Sequence, residues 1–217
     1  MQLKRARLQQ KFGDAAAQYD VRAQFQHIQT RRVLDAALML MPEVATLLDV
    51  GSGTGYFAQA AQEQRPNWNV IGLDIAQGMC EVAKARCIAL NADAAQLPLA
   101  DASLDGAVSS LCYQWVEHQP QAFTELARVL KPHGRAIIAS LGEQTLCELR
   151  ACAAQVALPL GILSMQPFST NLAALEAAGF SITMQEKSLE VIYYPSVATL
   201  VDSMRSIGAG DHFASGA

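Results

Sequence analysis

Residues 47–57 read LLDVGSGTGYF, an apolar run that passes directly into three glycines at alternate positions. Leu47, Leu48 and Val50 have the composition of a buried strand, and Asp49 interrupts them just before the turn. Gly51, Gly53 and Gly55 allow a sharp bend and a close approach of backbone to a ligand. Two readings stand here: a cradle for a nucleotide cofactor, or a plain tight turn from strand to helix.

The spacing narrows the first reading. A dinucleotide fingerprint runs G-x-G-x-x-G and sets a pyrophosphate at the helix N-terminus. Here Tyr56 takes the last glycine's place and Gly55 comes one residue early. Asp49 puts a carboxylate near the floor of the loop, which opposes a pyrophosphate but suits the ammonium group of a cationic ligand. S-adenosylmethionine is such a ligand, an adenosine carrying an amino acid and a sulfonium without phosphate. A second strand, Asn69 to Leu73, ends in Asp74, 19 residues past Gly55. An α/β unit places there the acid that holds two ribose hydroxyls, although Asp74 could also cap the helix expected over 75–86. A short strand, Cys87 to Leu90, leads to Asp93 and Ala94, an acid able to accept from an adenine amino group and a small residue that leaves room for the ring.

Outward from this core, the pattern before it predicts one amphipathic helix from Gly13 to Met41, stopped by Pro42. We read residues 1–42 as a helical cap and 43–217 as the cofactor-binding domain, the two forming one unit. After the core come an apolar strand over 104–111, then Tyr113, Gln114 and Trp115 facing the ligand crevice or simply filling the core. A helix follows from Pro120, ended by Lys131-Pro132-His133-Gly134, then a strand over 135–141 and a helix from Glu143 to Val156. A loop with Pro159, Gly161 and Pro167, a short helix stopped by Gly179, a loosely alternating strand over 181–194 and a last helix over 197–207 complete the reading.

With 217 residues, 51% of them apolar, the chain suits one α/β domain. No apolar run approaches the roughly 20 residues of a membrane span, and MQLKRARLQQ lacks the apolar core of a secretory signal. The five cysteines are odd in number and lack a CxxC pair, so they read as buried or half-buried free thiols in a reducing, cytoplasmic setting. Four scattered histidines give a metal site no support. The net charge of −4 conceals an asymmetry: residues 1–32 carry seven basic against two acidic side chains, a balance of +5 that leaves −9 for the rest. That basic start suits an acidic partner, an import receptor or a merely solvated face. A nucleic-acid substrate would need basic surface beyond it.

Four segments in order resemble the class I S-adenosylmethionine-dependent methyltransferases: LLDVGSGTG, GLD, NADAAQLPLADASLDGAVSSL and ELARVLKPHGRAIIAS. The flanks FGDAAAQYD with AQFQ, SSLCYQWVEH, and MRSIGAG are similar to the malonyl-acyl carrier protein O-methyltransferases of biotin synthesis. The resemblance implies a Rossmann-like doubly wound sheet with an added N-terminal helix. It implies methylation of the free malonyl carboxyl, on a carrier protein or on coenzyme A, with S-adenosylhomocysteine as by-product and no metal, nucleic acid or membrane involved. The ester lets fatty-acid enzymes elongate the unit. Asp49, Gly51, Gly53 and Gly55 would hold the methionine part, Asp74 and Ile75 the ribose, Asp93 and Ala94 the adenine, and Ser110 and Leu111 would lie near the sulfonium. Tyr19, Gln114, Trp115 and Arg205 are the candidates for orienting the substrate carboxylate, with Arg205 equally readable as a solvated surface residue. The resemblance also implies a final antiparallel strand beyond the GAG segment. The sequence ends at Ala217, so that strand lies outside it or is absent from the sheet. A quinone-type or other small-molecule methyltransferase, and a cofactor-binding module without catalysis, share the core and remain the alternatives.

Overall fold

The computed structural model describes residues 2–157 and 165–209. The loop residues Pro159 and Gly161, and the tail from Gly210, lie outside the described residues. Alternation along β1 (Ala45–Val50) sets the layers of the molecule, because successive side chains of a strand point to opposite faces. Leu48 and Val50 turn toward a cluster that holds Leu73, Ala107, Phe123 and Leu126. Leu47 turns the other way, toward Val33, Phe57, Trp68 and Val70. A strand apolar on both faces must be central, and β1 lies in the middle of a five-stranded parallel sheet of order β3-β2-β1-β4-β5.

β2 is Trp68–Asp74, β3 is Ile88–Asn91, β4 is Leu104–Ser110 and β5 is Leu130–Ala139. Between them run α3 (Tyr56–Gln64), α4 (Gln77–Ala83) and α5 (Gln119–Val129). α5 has proline in its first turn, where the missing N–H costs nothing, and buries Phe123, Leu126 and Val129 on one side of the sheet. The KPHG segment ends α5 as expected but lies within the next strand. The ladder pairs Leu130 with Leu104, breaks register, and resumes at Arg135 opposite Gly106. Three further helices follow: α6 (Cys147–Gln155), α7 (Phe168–Ala177) and α8 (Val197–Ser206).

Three expectations are corrected. The N-terminal helix is two helices, α1 (Gln2–Arg22) and α2 (Gln24–Leu40). They part at Ala23, whose ψ of 41° leaves the helical range and whose side chain is buried against Ile207 and Ala209. Packing against the C-terminal segment thus bends a pattern whose periodicity alone reads as continuous. The stretch 181–194 forms no strand. Alternation produces a strand only where a neighbour completes the hydrogen bonds, and among the described residues β5 pairs with β4 alone. Instead, side chains tether the stretch: Glu190 to Arg32 of α2, and Lys187 over the Phe168 ring at 4.6 Å. Its Leu189 and Tyr193 are exposed. The cysteines depart in part as well: all five are free, but Cys147 and Cys152 on α6 are exposed. Among the described residues, no helix is long and apolar enough to cross a membrane.

Candidate functional site

The carboxyl ends of parallel strands leave a crevice where connections diverge to opposite faces, and here that point lies between β1 and β4. The glycine turn occupies it. Gly51 and Ser52 donate their N–H groups to the Leu73 carbonyl of β2 at 2.7 and 3.0 Å, folding the turn over the sheet edge. Gly51, Gly53 and Gly55 have φ of 75°, 53° and 83°, a region that costs a side-chain-bearing residue about 1–2 kcal/mol. Each glycine has a different neighbour. A Cβ on Gly51 would lie 2.3 Å from that of Cys112, and one on Gly55 would lie 3.3 Å from that of Ala83 on α4. The space beside Gly53 faces the Tyr19 ring at 3.9 Å. Gly55 therefore serves helix packing, while Gly51 and Gly53 line the cleft.

Asp74 braces this turn with both oxygens. Gly53 N–H donates to one at 2.9 Å and Ala76 N–H to the other at 2.8 Å. The capping and ligand readings of Asp74 are thus compatible, since each oxygen keeps a second lone pair. Burial holds its pKa above the usual carboxylate range despite those donors. Asp49 lies deeper, 4% exposed. Burial first, and the charge on Asp74 second, push its pKa up to about 7. A buried carboxylate with the half-buried Asp74 charge raising its pKa favours a cation nearby.

A cavity of about 40 Å³ beside the turn is lined by Asp49, Ser52, Ser110, His27 and Tyr19. The hydroxyls of Ser52 and Ser110 are buried without a hydrogen-bond partner, and the Nε2 of His27 faces Asp20 at 3.6 Å. Unpaired buried polar atoms around a carboxylate fit the polar, zwitterionic end of an amino acid. Ile75, Asp93, Ala94, Ser110 and Leu111 line the adjoining wide cleft. Asp93 also shapes its own turn, accepting from Ala95 N–H at 2.9 Å. Leu111 carries a positive φ of 56°, and the Gln114 amide braces it by donating to its carbonyl at 2.7 Å. Ser140 donates to the other end of that amide at 3.1 Å.

Tyr19, Gln114 and Trp115 all reach the cleft. Trp115 stands edge-on to Phe12 of α1, with ring centroids 5.7 Å apart. Tyr113 is core instead, packed on Phe123 at 4.7 Å. Burial, then the charges of Asp74 and Asp20, raise the Tyr19 pKa, so its phenol stays a neutral donor. Arg205 is not brought to the cleft. Its side chain is 56% exposed beside Asp202 at 3.8 Å, and α8 lines the cleft through Leu200, Ser203 and Met204.

Sequence reasoning missed a cluster around Asp20. Thr54 Oγ1 donates to Asp20 at 2.5 Å and Arg86 pairs with its other oxygen at 2.7 Å. Nearby, His27 stacks on Tyr56 at 3.8 Å. The only available signal was the position of Asp20 in FGDAAAQYD, next to Tyr19.

The methyltransferase domain family matches residues 48–138. Among solved structures, a chain in the complex of the Haloferax volcanii Trm112 methyltransferase activator with a methyltransferase superimposes with a TM-score of 0.65 at 22% identity, covering 91% of this chain and 93% of that one. The 4+2 cyclase SpnF superimposes with a TM-score of 0.59 at 24% identity, covering 70% of this chain and 57% of that one. A cyclase on this fold means that fold alone does not assign chemistry. Among curated proteins, the biotin biosynthesis bifunctional protein BioHC of Cellvibrio japonicus is 37% identical over 94% of this chain and 41% of its own length. The chain spans about two-fifths of the length of such bifunctional relatives. The malonyl-acyl carrier protein O-methyltransferase of Dechloromonas aromatica is 35% identical over 94% of this chain and 77% of its own length. That of Xylella fastidiosa is 35% identical over 91% and 70%. With identity of this level over more than nine-tenths of the chain, the chain belongs to the malonyl-acyl carrier protein O-methyltransferase family.

Proposed function

We propose that this chain is a cytoplasmic methyltransferase that uses S-adenosylmethionine to esterify the free carboxyl of a malonyl group carried on acyl carrier protein, an early step toward biotin. The observation that carries the substrate is the extent of the likeness: it covers 91% or more of the chain, far beyond residues 48–138 shared with methyltransferases at large. For the cofactor, the support is the cradle itself. Asp49 with the unpaired Ser52 and Ser110 hydroxyls would hold the amino-acid end, Gly51 and Gly53 would allow close approach, and Asp74 with Ile75 would hold the ribose. Asp93 and Ala94 would flank the adenine, with Ser110 and Leu111 toward the reacting centre.

When bound, S-adenosylmethionine supplies an electrophilic methyl group on a sulfonium. A carboxylate has a pKa of about 4 and is already ionised, so the protein needs no general base. Its work is to align and to exclude water, which in favourable cases lowers a barrier by roughly 7–11 kcal/mol. Tyr19, as a neutral donor, and the remaining N–H of Gln114 would orient the malonyl carboxylate, with Trp115 as an apolar wall. Arg7 and Arg22 at the cleft, with other basic residues of the first two helices, would meet an acidic carrier.

Incubation with methyl-labelled S-adenosylmethionine and malonyl-, succinyl- and acetyl-carrier proteins tests this. Label is expected on the malonyl form in a base-labile ester and absent from the acetyl form. Label on acetyl-carrier protein, which has no free carboxyl, or on a small molecule alone, would overturn the assignment.

A further inference from the structure

One carboxylate joins three elements that the reaction needs in fixed relation. Asp20 sits in the last turn of α1. One of its oxygens accepts from the hydroxyl of Thr54, which lies on the glycine turn between Gly53 and Gly55. The other pairs with Arg86 just beyond α4, and Arg86 also donates to the Thr54 carbonyl at 3.0 Å. Thr54 is 2% exposed, so its hydroxyl has no recourse to solvent if Asp20 is lost. The preceding residue on α1 is Tyr19, whose ring faces Gly53.

Elsewhere α1 is steadied by close backbone approach: Gly78 of α4 would collide with the Gly13 carbonyl if it carried a Cβ, and Gly208 would collide with Phe12. Those contacts set the distance of α1 from its neighbours. They do not fix the rotation of its last turn, which ends at the break by Ala23. The Asp20 tie supplies that, together with His27 at the start of α2, whose Nε2 lies 3.6 Å from Asp20 and whose ring stacks on Tyr56 of α3.

We propose that Asp20 is a positioning residue that ties the last turn of α1 to Thr54 and Arg86 and thereby holds Tyr19 against the glycine turn where the cofactor binds. The inference rests on the proposed methyltransferase reading for the identity of the cofactor, and its test uses cofactor binding, which needs no acceptor. Asp20→Asn weakens the pairing with Arg86 at nearly constant shape. Thr54→Val removes the hydroxyl from the other side. S-adenosylhomocysteine is titrated calorimetrically into the full chain, wild type and each variant, well below the thermal midpoint of each. Both variants are expected to weaken binding about tenfold, the scale of one charge-assisted hydrogen bond. In a Tyr19→Ala background, Asp20→Asn should add less than a further twofold, because its effect runs through that ring. In turnover, KM for S-adenosylmethionine should rise, and kcat should fall with it because Tyr19 also orients the carboxylate. A purely structural role would lower the thermal midpoint of both variants and leave their affinity unchanged, which would overturn the proposal. So would full multiplication of the Asp20 and Tyr19 effects. If no malonyl thioester is methylated, the acceptor assignment fails, and the affinity measurements still decide the role of Asp20.

Discussion

Replacing Asp49 by asparagine should change how stability depends on pH, with a sign opposite to that of most carboxylates. Asp49 has a folded-state pKa of about 7 against 3.8 for an ordinary aspartate. Between these values the folded chain keeps a proton that the unfolded chain has released, so stability falls as pH rises from about 4 to 7 and then levels. About three units at 1.36 kcal/mol each give a loss of at most roughly 4 kcal/mol across that window. Asparagine has nearly the same shape and no charge. Urea unfolding of the cofactor-free protein should find Asp49→Asn close to wild type near pH 4, more stable by about 1.6 kcal/mol at pH 5 and by up to about 4 kcal/mol at pH 8. His27 titrates in both proteins, and the difference between the two curves reports Asp49 together with its coupling to Asp74. The same charge that destabilises the empty fold would hold an ammonium group. Affinity of the wild type for S-adenosylhomocysteine should therefore drop by about tenfold per pH unit well below 7, while Asp49→Asn binds weakly at every pH. Parallel stability curves for the two proteins would refute the reasoning.

Gly51→Ala should abolish S-adenosylhomocysteine binding and lower the thermal midpoint sharply. Its Cβ would sit 2.3 Å from that of Cys112 at a φ of 75°, and adding Cys112→Gly should restore only part, since a backbone penalty of about 1–2 kcal/mol remains. Trp68→Phe should cost at least about 1 kcal/mol in chemical denaturation, from the lost hydrogen bond of Nε1 to the Pro42 carbonyl at 2.7 Å, which pins the chain between α2 and β1, and from the cavity left by the smaller ring. Raising salt from 50 to 300 mM should cut kcat/KM several-fold with malonyl-carrier protein and leave a small malonyl thioester unaffected. Equal sensitivity of both would remove carrier steering from the account.

The core was legible because its signals are local and redundant. Leu47, Leu48 and Val50 have the composition of a buried strand, three glycines in five residues mark a turn, Asp74 ends β2 and Asp93 follows the end of β3 by two residues. Parallel strands with short crossovers leave the chain little choice of topology. The stretch 181–194 misled for the complementary reason. Its alternation was a fair sign of strand preference, but pairing belongs to two segments, and no property of the segment itself reveals whether a partner is present.

The N-terminal region shows a different limit. The FGDAAAQYD segment directs attention to its tyrosine, because a phenol suggests chemistry, while the next residue looks like one more surface acid on a helix. What singles out Asp20 is contact with residues 34 and 66 positions away, Thr54 and Arg86, neither of which has a spacing that points back to it. A cofactor cradle built on one strand–turn–helix can be read from one stretch of sequence. The contacts that hold α1 against that turn come from separate elements and emerge only once the chain is folded, so sequence reading recovers the residues of the glycine turn more fully than the contacts that hold α1 to it. The difference lies in how far apart in the chain the partners are. It predicts that, in a scan of single substitutions around the cleft, the losses of S-adenosylhomocysteine affinity that motif reading fails to anticipate will concentrate at Asp20, Arg86 and His27, and within residues 47–57 at Thr54, the residue of that stretch tied to Asp20.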